Sequence, residues 1–424
     1  MKPTSSVFQL HAAPPAPVSA DPWRGGTLQL KSLPPLALYV HIPWCLKKCP
    51  YCDFNSHAAA TGKALPERDY LGALRADLEA SLPLVWGRRV SAIFIGGGTP
   101  SLFAPESIEQ LLADVRARLP LEPGCEVTLE ANPGTFEAQR FQAFRGAGVT
   151  RLSIGVQTFG DDALQRIGRV HDGRQARAAV DEAAAAFETF NLDLMYALPG
   201  QTLDALREDL HTALSYQPPH LSVYHLTLEP NTWFATHPPT LPDDDTAADM
   251  LDLITETTAV RGLQRYEISA FAEAGHRCRH NLNYWQFGDY LGIGAGAHSK
   301  LSFAHRIIRQ VRWREPARYM EQANASAAVS NEHEVTRDQL TFEFMLNALR
   351  LRDGFAMDDF CARTGLLPSV MDKPLATAVS RGLLATEVDD IGRVRRVWPT
   401  ERGFDFLSDA QQLFLPAPRL RPGS

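Results

Sequence analysis

Residues 38–52 read LYVHIPWCLKKCPYC. This stretch begins inside an apolar, β-rich run, Leu36–Ile42, and it ends with Cys45, Cys49 and Cys52 crowded into eight positions. Thiolate is a soft ligand that selects zinc or iron–sulfur clusters. The stretch therefore predicts a strand that leads directly into a metal-binding loop.

The cysteine spacing favours an iron–sulfur cluster. A [4Fe–4S] cluster normally takes four cysteines, so three in one loop would leave one iron open to a substrate. Zinc sites usually combine Cys-x-x-Cys pairs and close their coordination shell, whereas Cys125, Cys278 and Cys361 are scattered along this chain. A zinc site with His41 or His57 as the fourth ligand stays open as the alternative.

Beyond this loop, β-rich apolar runs alternate with amphipathic segments of helix length. The predicted strands are Leu36–Ile42, Val90–Ile95, Glu126–Glu130, Arg151–Gly155, Phe190–Leu194 and Leu221–Leu226. The predicted helices are Glu67–Ser81, Glu106–Leu119, Phe136–Ala147, Arg174–Phe187 and Leu203–Tyr216. This alternation predicts an α/β fold with a parallel sheet and right-handed crossovers. Six units are too few for a closed eight-stranded barrel, so they form a partial barrel or an open sheet.

The remaining segments differ in composition. Residues 1–34 are rich in proline and alanine without periodicity, and we expect a disordered extension. The barrel should occupy residues 35–235, followed by an extension over 236–330 with a strand at Tyr266–Phe271. In residues 335–415 we expect a winged-helix-like domain, with helices and then a hairpin. Its predicted elements are Leu340–Leu349, Met357–Thr364, Pro368–Arg381, Leu383–Val388 and Val394–Trp398.

Overall composition limits the classes of partner. The 424 residues carry 42 basic and 49 acidic side chains, a net charge of −7, which gives no general attraction to nucleic acid or anionic membranes. Hydrophobic residues make up 45% and charged residues 21%, as in globular proteins. We find no apolar run long enough to span a membrane and no signal peptide, so we expect a cytoplasmic protein.

Polar residues and glycines collect where the predicted strands end. The second strand leads into Gly96–Pro100, the third ends at Glu130, and the fourth leads into Gln157. Arg169 follows in the next loop, and Asp193 lies within the fifth strand. Each residue alone would be assigned to a turn, a cap or the surface. In α/β barrels the carboxyl ends of the strands carry function, so together they predict a binding site.

The Cys-x3-Cys-x2-Cys spacing, with Tyr51 before the last cysteine, resembles the radical S-adenosylmethionine superfamily. The resemblance implies a partial (β/α)6 barrel, a [4Fe–4S] cluster on Cys45, Cys49 and Cys52, and S-adenosylmethionine on the open iron. The superfamily's contacts with S-adenosylmethionine correspond here to Tyr39, Gly97, Gly98, Thr99, Glu130, Gln157, Arg169 and Asp193.

Two longer stretches resemble one particular branch of this superfamily. Leu38–Cys45 and Asp193–Gly200 resemble oxygen-independent coproporphyrinogen III dehydrogenases and the heme chaperones related to them, over roughly residues 35–410. The dehydrogenases carry a fourth cysteine two residues after the third, where this chain has Phe54. The stretch His280–Trp285, HNLNYW, matches the heme-binding motif of the chaperones. Without the resemblance, that stretch would be assigned to a strand-end turn with a satisfied histidine.

The preferred interpretation is a heme chaperone that binds heme at His280 and transfers it to an acceptor protein. It would carry a [4Fe–4S] cluster and S-adenosylmethionine, and it would need an electron donor. The dehydrogenase of heme biosynthesis is the alternative, and a radical methyltransferase or other radical enzyme is a third possibility. We expect coproporphyrinogen dehydrogenase activity to be absent.

Overall fold

The computed structural model describes residues 28–60, 62–135 and 140–416. Its strands are β1 (Leu36–Ile42), β2 (Trp44–Cys45), β3 (His57–Ala58), β4 (Val90–Gly97), β5 (Leu121–Ala131), β6 (Arg151–Gln157), β7 (Phe190–Tyr196), β8 (His220–His225), β9 (Gln264–Arg265), β10 (Ala270–Ala272), β11 (Asp289–Ile293), β12 (His298–Phe303), β13 (Arg306–Arg312), β14 (Val329–Glu334), β15 (Phe355–Ala356), β16 (Leu384–Val388) and β17 (Val394–Pro399).

The helices complete the alternation. They are α1 (Glu67–Ser81), α2 (Pro105–Arg118), α3 (Arg140–Ala147), α4 (Asp161–Arg166), α5 (Gly173–Ala186), α6 (Leu203–Ser215), α7 (Trp233–Thr236), α8 (Asp244–Val260), α9 (Arg279–Trp285), α10 (Pro316–Asn324), α11 (Leu340–Ala348), α12 (Met357–Thr364), α13 (Asp372–Ser380), α14 (Glu401–Asp405) and α15 (Leu407–Gln412). No helix in the described part of the chain is long and apolar enough to cross a membrane.

The core is a parallel sheet in the order β1-β4-β5-β6-β7-β8, with helices in the crossovers. All six strands coincide with predicted ones, which confirms the α/β fold class and the six-unit partial barrel. Strands buried on both faces read as nearly continuous apolar runs. β1, LALYVHI, is such a strand, and only Tyr39 within it is partly exposed.

The sheet continues beyond the six units at both edges. β11 lies parallel to β1, and β12, β13 and β14 follow it in antiparallel order. A buried ion pair fixes this extension to the first helix. The Arg312 guanidinium lies 3.2 Å from the Asp77 carboxylate, and the Tyr319 hydroxyl donates to the same carboxylate at 2.9 Å. Both members of a buried pair must stay paired, so this contact holds α1, β13 and α10 together.

Two expectations are wrong. The run Tyr266–Phe271 does not form one strand, because the Glu267 carboxylate accepts from the Ser269 backbone N–H at 2.7 Å and turns the chain into the antiparallel pair β9 and β10. Residues 28–34 are ordered, since Leu28 and Leu30 are buried in the carboxy-terminal core and donate to His305 O and Ala304 O. The disorder predicted for residues 1–27 and the helix start at 136–139 lie outside the described residues.

The carboxy-terminal region has its own apolar core and a small antiparallel sheet in the order β15-β17-β16. The hairpin of β16 and β17 confirms the predicted wing, with a turn at Asp389–Gly392. The helix predicted over Pro368–Arg381 divides into a short 3₁₀ segment, Pro368–Met371, and α13. The predicted winged-helix-like character of this region is therefore confirmed.

Candidate functional site

The cysteine loop lies at the carboxyl end of β1. β2 and β3 pair in parallel and close the loop, and the Cys52 backbone N–H donates to Cys49 O at 3.2 Å. Cys45, Cys49 and Cys52 are half-buried free thiols. No three His, Cys, Asp or Glu side chains within the described ranges gather as around a single metal ion. A [4Fe–4S] cluster does not need such a gathering, because each cysteine binds a different iron.

Both ring nitrogens of His41 make hydrogen bonds within the protein. Its Nε2 donates to Asn55 O at 2.9 Å, and its Nδ1 accepts from the Tyr39 hydroxyl at 2.9 Å. Burial lowers the pKa of His41 to about 4, so the ring is neutral. Asn55 in turn donates its amide to Ala295 O and Arg314 O at 2.9 and 2.8 Å. Neither nitrogen of His41 is therefore free to complete a zinc site, and the ring fastens the end of the cysteine loop.

The turn after β4 packs directly on this loop. Gly97 has φ +117°, and a Cβ there would lie 2.4 Å from the His41 ring. A Cβ on Gly98 would lie 2.5 Å from Trp44 O. Gly98 N–H donates to Ile42 O at 2.8 Å, and Thr99 N–H donates to Trp44 O at 2.7 Å. Only glycine fits this close approach, which brings the turn against the cysteine loop.

A cavity of about 620 Å³ opens beneath the loop. It is lined by the three cysteines and by most of the residues predicted to contact S-adenosylmethionine, namely Gly97, Gly98, Thr99, Glu130, Gln157, Arg169 and Asp193. Tyr39 is the exception: it lies behind the wall, with its ring 6.2 Å from that of Phe94 and its hydroxyl on His41. The fold thus brings the strand-end residues together around one space that adjoins the cysteines.

Two carboxyl groups in this cavity are held in a low-dielectric setting. Glu130 accepts from the Gly97 N–H at 3.0 Å, and burial raises the pKa of Glu130 to about 7. Asp193 accepts from Ser153 Oγ at 3.0 Å and from Asn191 Nδ2 at 2.8 Å, and burial also raises the pKa of Asp193. A ligand that brings positive charge or hydroxyl donors would stabilise both carboxylates.

Arg169 connects the cavity to the cluster loop. Its guanidinium donates to Gly155 O at 2.7 Å and to Asn132 Oδ1, and it lies 3.7 Å from Cys49 Sγ. Gln157 beside it has φ +70°, a conformation that non-glycine residues rarely adopt. An arginine in this place can pair with a carboxylate ligand next to the cysteines.

Further lining residues follow a simple alternation that the sequence analysis missed. Successive inward positions are separated by two residues along a strand. Arg151, Ser153, Gly155 and Gln157 alternate along β6, and the other lining sets are Asn191, Asp193 and Met195 on β7 and His220, Ser222 and Tyr224 on β8. Counting back in twos from Gln157 and in twos from Asp193 would have found the lining residues of β6 and β7, because polar residues inside a buried strand are unusual. The lining residues of β8 could not be found in this way, since no residue of that strand was predicted.

His280 lies on α9, a helix rather than a strand-end turn. It is 2% exposed, and its ring lies 4.9 Å from that of Phe94 and 4.7 Å from that of Tyr284. Neither of its ring nitrogens has a hydrogen-bond partner among the described residues. Burial lowers the pKa of His280 to about 3, so the imidazole is neutral. Asn281, Tyr284 and Trp285 of the same helix line the cavity that the cysteines border.

The fold and this cavity define a radical S-adenosylmethionine protein. The Radical SAM superfamily model matches residues 39–213, and the HemN C-terminal domain model matches residues 335–406. The solved structure of coproporphyrinogen III oxidase (HemN) from Escherichia coli superposes with a TM-score of 0.75 at 24% identity, covering 90% of each chain. That similarity supports the fold. Membership of the superfamily implies a [4Fe–4S] cluster and S-adenosylmethionine.

Whole-length relatives are more specific. The chain is 46% identical over 385 residues to the heme chaperone HemW of Escherichia coli, covering 90% of this chain and 99% of that protein. It is 44% identical over 393 residues to HemW of Haemophilus influenzae, covering 91% and 99%. With HemW of Bacillus subtilis it shares 36% identity, over 78% of this chain and 89% of that one. The chain belongs to the HemW family of heme chaperones.

Proposed function

We propose that this protein binds heme as cargo through His280 and transfers it to an acceptor protein. The observation that carries the proposal is the state of His280: a neutral imidazole with two unpartnered nitrogens among aromatic rings. Buried polar atoms almost always have a hydrogen-bond partner, so a buried nitrogen without one is a candidate ligand-binding atom. A neutral imidazole is a common axial ligand of heme iron. The tyrosine and tryptophan that follow it offer an apolar surface for the macrocycle.

The cluster and S-adenosylmethionine form the second part of the proposal. Cys45, Cys49 and Cys52 would hold the cluster, which together with S-adenosylmethionine supplies one-electron chemistry when bound. Arg169 would pair with the carboxylate of S-adenosylmethionine, since its guanidinium adjoins Cys49. The remaining contacts would come from the cavity-lining residues Gly97, Gly98, Thr99, Glu130, Gln157 and Asp193. Tyr39 would support the site indirectly, through its hydrogen bond to His41.

Glu130 and Asp193 would accept from the ammonium group and the ribose hydroxyls. Both carboxyl groups are buried in the cavity wall, where a cationic ligand favours their ionised form. Reduction of the cluster would require an electron donor, which we expect to be a separate protein.

Coproporphyrinogen dehydrogenation is the less favoured function. Phe54 stands where the dehydrogenases have a fourth cysteine, and its side chain is 61% exposed at the border of the cavity. A phenyl ring can neither ligate metal nor carry a proton. Under anaerobic conditions with reductant and S-adenosylmethionine, we expect no conversion of coproporphyrinogen III to protoporphyrinogen IX.

Heme titration of the cluster-loaded protein tests the main proposal. The Soret band should shift on addition of heme, and His280→Ala should change that band and weaken binding while the cluster absorbance stays constant. His211→Ala is the matched control, because His211 is exposed on α6 and distant in sequence from the motif. Unchanged heme binding by His280→Ala would refute the assignment, and catalytic protoporphyrinogen formation would favour the dehydrogenase.

The cellular setting belongs to the same proposal. All six cysteines lie among the described residues as free thiols, which suits a reducing compartment. We therefore propose a cytoplasmic protein that meets its heme acceptor there. No nucleic-acid partner is proposed, because the chain carries a net charge of −7.

A further inference from the structure

The heme-binding histidine is closed off in this structure. Both ring nitrogens of His280 are buried, and His280 is absent from the residues that line the cavity although Asn281 and Tyr284 beside it are present. An iron atom must approach to bonding distance of a ring nitrogen, which excludes every intervening side chain. Heme binding at His280, the proposed function on which this inference rests, therefore requires that one side of its enclosure moves.

The inner side of the enclosure is fixed. Phe94 stacks on His280 and belongs to β4, a central strand paired with β1 and β5. Helix α9 has only seven residues, and its start is held to β5 where the Arg279 backbone N–H donates to the Glu126 carboxylate at 2.9 Å. The helix ends at a turn where Phe287 has φ +57°. Asn283 donates to Asp289 O at 2.7 Å and ties that end to β11. The side that can open is therefore α9, and opening about its carboxyl end would break the hydrogen bond between Arg279 and Glu126.

The outer side of α9 is covered by the start of the carboxy-terminal region. The Arg350 guanidinium lies 4.3 Å from the centroid of the Trp285 ring and 3.2 Å from the Glu267 carboxylate. Leu351 belongs to a small apolar cluster that also packs against Trp285 and Leu282. A cation held over an indole face is attracted by the ring's electron density, so Arg350 presses α9 against the barrel.

A second contact reaches α9 from the same region. The ring of Tyr284 lies 4.3 Å from that of Tyr290, whose hydroxyl accepts from Arg309 at 2.9 Å. Arg309 in turn pairs with Glu343 of α11 at 2.7 Å. Two separate chains of contacts therefore connect residues 343–351 with the two aromatic residues of the motif.

We propose that residues 343–351 are a latch that holds α9 closed over His280, and that heme enters and leaves when the latch releases. The segment lies within the matched HemN C-terminal domain region, so the latch gives that region a regulatory role in heme transfer. Closure also keeps Tyr284 and Trp285 in the cavity wall. Release of the latch would move α9 out of the cavity wall while the barrel stays folded.

The test compares Arg350→Ala and Glu343→Gln with a matched control. Arg352→Ala removes the arginine directly after the segment, but Arg352 pairs with Glu401 rather than with α9. In the cluster-loaded full-length protein, Arg350→Ala should bind heme about fivefold faster than wild type by stopped-flow Soret absorbance, the scale of a cation–π contact. Glu343→Gln should bind heme about twofold faster, the scale of a partly exposed ion pair. Both latch variants should also show faster hydrogen exchange of residues 279–285 in the absence of heme, and Arg352→Ala should match wild type in both measurements.

The outcomes separate the latch from the heme site. Heme association and hydrogen exchange at wild-type values in both variants would overturn the latch, while His280-dependent binding would leave the heme site standing. Heme binding that persists unchanged in His280→Ala would overturn the site itself. Glu343→Gln changes little volume and decides the question if Arg350→Ala folds poorly. Acceleration in Arg352→Ala as well would also overturn the proposal, since it would show general loosening.

Discussion

Glu130 offers the sharpest test of the proposed S-adenosylmethionine site, because burial raises its pKa to about 7, within the pH range in which binding can be measured. Its carboxylate accepts from the Gly97 N–H and faces the cavity. The pKa lies above the ordinary value near 4.5, so the charge is present above pH 7 and is lost as pH falls. S-adenosylmethionine carries an ammonium group, which the ionised carboxylate would attract. Affinity should therefore rise with pH through this group.

The magnitude follows from the titration. With a pKa of about 7, Glu130 is roughly one-tenth ionised at pH 6 and roughly nine-tenths ionised at pH 8. If the ligand requires the ionised form, its dissociation constant falls about tenfold between these two values, which is about 1.4 kcal/mol. Glu130→Gln keeps an oxygen for the Gly97 N–H but cannot titrate. Its affinity should be lower at pH 8 and should lack this part of the pH dependence.

Calorimetric titration of the cluster-loaded protein at pH 6, 7 and 8 measures the effect. The amino group of the ligand titrates near pH 8 as well, so the informative quantity is the difference between wild type and Glu130→Gln. Glu109→Gln is a suitable control, because Glu109 is exposed on α2. Equal pH slopes in wild type and Glu130→Gln would refute the assignment of Glu130 to the ligand.

Three further changes test the cluster, the ligand and the fold. Cys49→Ala should abolish cluster assembly, measured as iron and labile sulfide after anaerobic reconstitution; retained stoichiometric cluster would contradict it. Arg169→Gln should weaken S-adenosylmethionine binding by about 1.5–3 kcal/mol in calorimetry, the contribution of a charged hydrogen bond, and unchanged affinity would remove its role. Asp77→Asn should lower the free energy of unfolding in urea by about 3–5 kcal/mol, because buried Arg312 loses its partner; an unshifted midpoint would contradict this.

The alternation of strands and helices could be predicted because each element carries its own signal. α1 begins and ends where its amphipathic pattern predicts, at Glu67 and Ser81. The two errors have different causes. The hairpin at β9 and β10 depends on one carboxylate accepting from a backbone N–H two residues later. Residues 28–34 are ordered by a core built mostly from residues beyond 287.

The candidate site was likewise only partly predictable from the sequence. Strand-end residues could be predicted, since parallel strands bring their carboxyl ends to one edge and seven of the predicted ligand contacts line a single cavity. The burial of His280 could not be predicted from its motif. It depends on Phe94, far back in the sequence, and on the covering segment around Arg350. The position of Tyr39 could not be predicted either, because it lies behind the wall with its hydroxyl hydrogen-bonded to His41.

The position of α9 between the two proposed binding sites has a thermodynamic consequence. Its Asn281, Tyr284 and Trp285 line the cavity proposed for S-adenosylmethionine, while heme would reach His280 only when the helix moves away, as proposed above. A ligand that needs the closed helix and one that needs the open helix must oppose each other, and by linkage the factor is the same in both directions. Saturating S-adenosylmethionine should therefore weaken heme binding, and heme should weaken S-adenosylmethionine binding by an equal factor. Arg350→Ala should favour heme in both titrations, and independent binding or mutual enhancement would show that α9 is not the shared element.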